Sequence, residues 1–274
     1  MAATAPSNGP QTIVLIHGMW MTPLSWEHWA ERYRGLGHEV ITPAWPGLDR
    51  EPAALRSDPS PLHGLSVTDV VDSYHGLIRG LERPPIVIGH SFGGLITQLL
   101  LDRDLGCAGV ALGTATPKGV FPLPLSTLRA AWPALKNPLG KNGDVPLDRD
   151  QFHWCFTNAL SREDSDAVYD RYYIPGAARM FFQAAYPGSA TKVRFENPHR
   201  APLLLATGVD DRICPASLNV ANWKKQSQAP TATEHKEYPG RCHYPGQDGW
   251  EEVADFVLEW ARTHAREPAP AVIA

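Results

Sequence analysis

Ile86-Val-Ile-Gly-His-Ser-Phe-Gly-Gly-Leu95 joins a short apolar run to a glycine-flanked serine and then to the apolar start of a helix. A strand buried on both faces reads as a continuous apolar run, and Ile86 to Ile88 does so behind the turn-forming Pro84-Pro85. Gly89-His90-Ser91-Phe92-Gly93 then fits G-x-S-x-G, in which the serine sits on a sharp, strained strand-to-helix turn. Side chains at Gly89 and Gly93 would press on neighbouring chain there, so near-bare backbone is required. The helix from Phe92 to about Leu101 aims its N-terminal amides at the serine's surroundings, where an oxyanion would be stabilised. A serine in a glycine-rich turn is often only a turn, so the rest of an acyl-transfer site has to be found elsewhere in the chain.

Upstream, Thr12-Ile-Val-Leu-Ile16 is a second buried-strand run, and it ends in His17-Gly18-Met19-Trp20. Glycine lets the chain turn over the sheet edge and leaves a backbone N–H, that of Met19, to pair with the Phe92 amide as an oxyanion hole. From Leu24 to Leu36, Trp26, Trp29, Ala30 and Tyr33 recur at helical spacing, which reads as core packing. Glu39 to Thr42 is a short strand, residues 48 to 64 read as surface loop, and Val67 to Leu81 carries the pattern of an amphipathic helix. Cys107 to Leu112 is the strand after the elbow helix. Strand and helix alternate, which predicts a parallel sheet with right-handed crossovers.

From Pro117 to about Pro198 the rhythm breaks into clustered prolines, short helical patches and many aromatics. An insertion after a strand's carboxyl end lies over the edge where open α/β sheets bind ligands, so it reads as a helical lid. The core then resumes with Pro202 to Thr207, a helix from Ala216, a strand near Thr233 to Tyr238, and an amphipathic helix from Trp250 to Thr263. The predicted division is a core of residues 12–116 and 199–266, a lid of residues 117–198, and disordered tails at 1–11 and 267–274.

A formal net charge of −4 with scattered basic residues gives no nucleic-acid stripe and no polybasic membrane patch, so a small-molecule partner is expected. The N-terminus lacks the regions of a signal peptide and no apolar run reaches membrane-span length, which points to the cytoplasm. Cys107, Cys155, Cys214 and Cys242 lack C-x-x-C spacing and read as free thiols, with no metal and no cofactor expected.

A serine needs a base, and the base needs a group that fixes its tautomer. Of the eleven histidines, His243 stands in a Gly-rich loop just past the last strand, placed to reach the elbow. Its rival His235 lies within or before that strand. For the acid, the loop after Thr207 offers Asp210 and Asp211, whereas the loop after Leu112 offers only threonines. Either aspartate preserves the order Ser, Asp, His. Trp20 and His90, in the turns beside the serine, and Trp154 and Phe182, in the aromatic insertion, are the candidate substrate-contacting residues.

Ile13 to Gly18, Gly89 to Gly94, Gly208-Val-Asp-Asp-Arg-Ile-Cys-Pro215 and Gly240 to His243, in that order, resemble the α/β-hydrolase fold family over roughly Thr12 to Arg266. In that family the acid stands four residues before the proline of the third motif, which implies Asp211. Too few residues precede Thr12 for the antiparallel hairpin that opens the fold, so about six parallel strands flanked by helices are expected, with the lid after the fourth. Serine at position 91 argues against haloalkane dehalogenases and epoxide hydrolases, which need a carboxylate there. The resemblance implies cleavage of a carboxylic ester of a small to medium apolar substrate through Ser91, His243 and Asp211. Lactone or thioester opening, carbon–carbon bond hydrolysis, hydroxynitrile lysis and cofactor-free perhydrolysis use similar constellations, and a non-catalytic ligand receptor is a reading of another class.

Overall fold

The computed structural model describes residues 9–121, 124–185 and 188–266. Six parallel strands form one sheet: β1 (Thr12–Ile16), β2 (Glu39–Ile41), β3 (Ile86–His90), β4 (Ala108–Leu112), β7 (Leu203–Gly208) and β8 (Thr233–Tyr238), in the order β2-β1-β3-β4-β7-β8. A second, two-stranded antiparallel sheet pairs β5 (Asp144–Val145) with β6 (Gly176–Ala177). No strand precedes β1 among the described residues.

Both faces of the large sheet are covered, and its inner strands are buried along nearly all of their length. Successive side chains alternate faces. Ile13 and Leu15 of β1 pack with Trp26, with Trp29 and Tyr33 of α1 (Glu27–Gly35), and with Val253, Ala254 and Val257 of α10 (Trp250–His264). Val14 and Ile16 face the other way, toward Val70 and Tyr74 of α3 (Val67–Arg79) and Leu95 and Ile96 of α4 (Phe92–Asp102). Burying one such side chain is worth about 1.5–3 kcal/mol, so this two-sided core carries the sheet.

Some local expectations need correction. Residues 48 to 64 are not all loop: α2 (Pro52–Ser57) starts with proline at its first turn, where the missing N–H costs nothing, and buries Leu55 completely. The helix expected from Leu24 begins as a 3₁₀ turn, Pro23–Trp26, before α1. Gln11, expected in a disordered tail, is held: its amide donates to His38 Nδ1 and its carbonyl accepts from the Glu39 amide. The remaining tail residues 1–8 and 267–274 lie outside the described residues.

Between β4 and β7 the chain forms α5 (Leu125–Leu135), α6 (Arg149–Cys155), α7 (Arg162–Tyr172) and α8 (Ala178–Ala185). Ser161 caps α7 by accepting from the Asp164 amide at 3.1 Å. The ribbon β5–β6 is clipped to the turn after β1: Trp20 Nε1 donates to the Val145 carbonyl at 3.1 Å, and the Ile174 amide donates to the Trp20 carbonyl at 3.0 Å. After α9 (Ala216–Gln226) the chain adds the edge strand β8.

The strand order reverses between β1 and β3, where open α/β sheets form a crevice beyond their carboxyl ends. Glycines let the two chain ends meet there. A Cβ on Gly93 would stand 2.2 Å from the Ile16 carbonyl oxygen, and one on Gly89 would stand 2.1 Å from the Gly93 carbonyl oxygen. Gly93→Ala is therefore expected to cost about 2 kcal/mol or more in urea unfolding, from overpacking against backbone that cannot give. Gly35→Ala, at a helical glycine with nothing within 4 Å, should instead stabilise by about 0.4–1 kcal/mol. A change of less than about 0.5 kcal/mol for Gly93→Ala would contradict the close approach.

Candidate active site

Ser91 stands between β3 and α4 with φ 56° and ψ −120°, a left-handed conformation that is strained for any residue with a side chain. The strain is held by four backbone bonds. The Ser91 amide donates to the Leu112 carbonyl, and its own carbonyl accepts from Gly94, Leu95 and Ala115. The Phe92 amide, first in α4, has no intrahelical acceptor and lies at the positive end of the helix dipole.

The turn after β1 rests directly on this serine. A Cβ on Gly18 would stand 2.8 Å from Ser91 Cβ, so only glycine lets Met19 and Trp20 reach the elbow. Trp20 itself has a positive φ of 66°. Beside it the His17 ring is stacked on Trp45 at 4.5 Å, donates from Nδ1 to the Gly18 carbonyl at 3.0 Å, and accepts the Trp45 amide at Nε2 at 3.4 Å. These two bonds select the neutral Nδ1–H tautomer, and burial pushes the His17 pKa down to about 4.

Across the sheet, Asp211 follows β7 and His243 follows β8, and both are buried. His243 Nδ1 donates to Asp211 Oδ2 at 2.7 Å. Asp211 Oδ1 accepts from the Ile213 and Cys214 amides, each at 2.8 Å, which fixes the carboxylate from the helix side of its loop. The ring's other nitrogen, Nε2, is buried and has no hydrogen-bond partner among the described residues. Phe156 packs edge-on against the ring at 4.8 Å. Gly113 leaves the space this pair needs, since a Cβ there would stand 3.0 Å from Asp211 Oδ2. Ser91, Asp211 and His243 thus come to one edge of the sheet. Asp210 is exposed, and Arg212 donates to the Trp154 carbonyl. His235, the rival base, lies in β8 stacked on Trp223.

A cavity of about 110 Å³ opens beside Ser91, bordered by Trp20, Phe92, Ala130, Phe181, Ile213 and Leu218. It is slightly smaller than the ~150 Å³ apolar cavity that takes up benzene. Of the four residues expected to contact substrate, Trp20 borders it and the other three do not. His90 turns away: its Nε2 donates to the His243 carbonyl at 2.8 Å, behind the site. Burial and the adjacent His243 hold the His90 pKa well below its ordinary value. Trp154 is covered by Arg129 at 3.9 Å and Arg212 at 5.4 Å from its ring centre. Phe182 borders a different, surface cavity with Thr68 and Arg179. Its neighbour Phe181 is the one that faces Ser91's cavity, because adjacent residues on α8 are turned about 100° apart. Phe181 was missed because two consecutive phenylalanines give no sequence signal for which one points inward.

A sequence profile of the alpha/beta hydrolase family matches residues 13–256. The chain belongs to that family. A search of curated protein sequences finds no match. Among solved structures, this alpha/beta hydrolase is similar to the Paleococcus ferrophilus monoacylglycerol lipase, at 19% identity over 95% of this chain and 98% of that one, with a TM-score of 0.67. An extracellular alpha/beta-hydrolase from a Paenibacillus species is similar at 20% identity over 94% and 100%, TM-score 0.68. Tomato methylketone synthase I is similar at 14% identity over 93% and 99%, TM-score 0.68. Likeness at this level of identity speaks for the fold.

His17 and His90 are buried and uncharged when folded, whereas both titrate near 6.5 when unfolded. The unfolded chain therefore binds more protons below pH 6.5, so the stability they confer is complete above that pH and is lost as pH falls toward the folded-state value, about 4 for His17. Urea unfolding between pH 7 and 5 should show this decline. His17→Gln should reduce its slope near pH 5.5 by about 1.4 kcal/mol per pH unit, one proton's worth. An unchanged slope would mean that His17 is charged in the folded protein.

Proposed function

We propose that this alpha/beta hydrolase cleaves a carboxylic ester of a small to medium apolar substrate through an acyl-enzyme on Ser91. One observation carries the reading: His243 is tied through Nδ1 to Asp211 while its buried Nε2 has no hydrogen-bond partner among the described residues. An imidazole so arranged is a base waiting for a proton. The solved structures that resemble this chain include a monoacylglycerol lipase and polyneuridine aldehyde esterase, which supports ester chemistry over the other reactions this fold hosts.

Ser91 Oγ attacks the ester carbonyl carbon as its proton passes to His243 Nε2. The carbonyl oxygen becomes an oxyanion held by the Met19 and Phe92 amides. Asp211 balances the imidazolium that forms. Collapse of the tetrahedral intermediate breaks the bond to the alkoxy oxygen, which takes the proton from His243 and leaves as an alcohol. Water then gives a proton to His243, attacks the acyl carbon, and releases the carboxylic acid as Ser91 recovers its proton. The apolar border of the Ser91 cavity suits an uncharged acyl or alkyl group. The segment 117–198 serves as the lid: Ala130 and Phe181, from α5 and α8, close that cavity over Ser91.

With a short-chain chromogenic ester, Ser91→Ala should lose at least about a thousandfold in kcat with the fold unchanged by circular dichroism. Asp211→Asn should lose about a thousandfold or more through the wrong imidazole tautomer, while Asp210→Asn stays within about tenfold. More than about a tenth of wild-type kcat in Ser91→Ala would remove the serine from the mechanism, and the opposite ranking of the two aspartates would move the acid to Asp210.

A further inference from the structure

Helix α5 has two unlike faces. One borders the Ser91 cavity through Thr127, Ala130 and Ala131, the other carries Leu125 and Trp132 at i and i+7 into solvent, and Leu128 stands at the edge between them, bordering the cavity while partly exposed. Leu125 is 84% exposed, Trp132 62% and Leu128 41%. Phe121 and Leu139, which flank α5 in the chain, are 73% and 98% exposed. Seven large apolar side chains are exposed among the described residues, and these are five of them, so the exposure is concentrated here rather than scattered.

The segment that carries this face is one-signed in sequence. Residues 117–143 contain Lys118, Arg129, Lys136 and Lys141 and no Asp or Glu, in a chain whose formal net charge is −4. Lys136 and Lys141 are exposed and take part in no ion pair among the described residues. Counting 100° per residue, Arg129 and Lys136 fall on the same side of the helix as Leu125 and Trp132. An apolar face with a tryptophan and a fringe of cations is the pattern of a helix that lies in a lipid interface, apolar side down and cations at the headgroups.

We propose that α5 docks this enzyme on an anionic lipid surface, with Leu125 and Trp132 entering the interface, Leu128 at its edge, and Lys136 and Lys141 meeting the headgroups. A second copy of the chain is the weaker occupant, because a two-fold contact would bring the same cations face to face. The expectation of no membrane partner gives way to this proposal. The cations that matter here lie in the one segment that also carries the uncovered face. Docked in this way, α5 has lipid on one side and the Ser91 cavity on the other.

The test is co-sedimentation of the full chain with phosphatidylcholine vesicles, with and without about 30% phosphatidylglycerol. The wild type should pellet with the anionic vesicles at least about tenfold more tightly than with the neutral ones, and less tightly as salt rises. Leu125→Asp combined with Trp132→Ser, and separately Lys136→Glu combined with Lys141→Glu, should each weaken that binding about tenfold or more. Both variants should keep turnover of a water-soluble ester within about twofold, since none of the four residues touches the Ser91 cavity. A wild type that stays in the supernatant with both vesicles overturns the proposal, as do variants that bind like wild type. A dimer in sedimentation equilibrium that Leu125→Asp with Trp132→Ser dissociates, without vesicle binding by the wild type, would assign the face to a second copy.

Discussion

The close approach of the turn after β1 to the turn after β3 is the constraint on which the rest depends. Gly18 lies against Ser91, and Gly93 against the Ile16 and His17 carbonyls. Any side chain at these glycines would separate the two strand ends. Ser91 could then no longer be held at positive φ by its four backbone bonds, and Met19 would stand away from Phe92. The serine, both proposed oxyanion amides and the mouth of the cavity are therefore consequences of one packing contact at the point where the strand order reverses.

Around that contact the structure keeps its charges few and its tautomers fixed. His17 and His90 are buried, neutral and bonded to backbone, one beneath the proposed oxyanion turn and the other beneath the His243 loop. Asp211 is also buried, and two amides and one imidazole satisfy its oxygens. These hydrogen bonds replace the water that the buried carboxylate has lost. His243 Nε2 is left without a hydrogen-bond partner among the described residues. The local polar order suits the proposed proton transfer from Ser91.

Much of this was legible in the sequence because the requirement was local. The elbow can be read from five residues, since its sterics involve only glycines adjacent to the serine. Buried parallel strands read as apolar runs, and the loops beyond them offered few histidines and acids. Features set by helix phase or by distant surfaces were not legible. Phe181 and Phe182 differ by one residue, and only the seating of α8 decides which borders the cavity. Trp154 looked like a pocket aromatic, but two arginines from separate segments cover it. The ribbon β5–β6 has two residues in each strand, too few for a period, and is set by its bonds to Trp20 and to the Gly143 carbonyl. The uncovered face of α5 could not be seen either, because a helical pattern shows which residues share a side and not what covers it.

The central claim, that His243 and Asp211 activate Ser91, is tested most directly by reaction with a serine-directed phosphonate followed by peptide mapping in a mass spectrometer. A single adduct on Ser91 is predicted, with ester turnover falling in proportion to the labelled fraction and labelling abolished in His243→Ala. Labelling at another residue, or full turnover in enzyme whose Ser91 is completely modified, would contradict it.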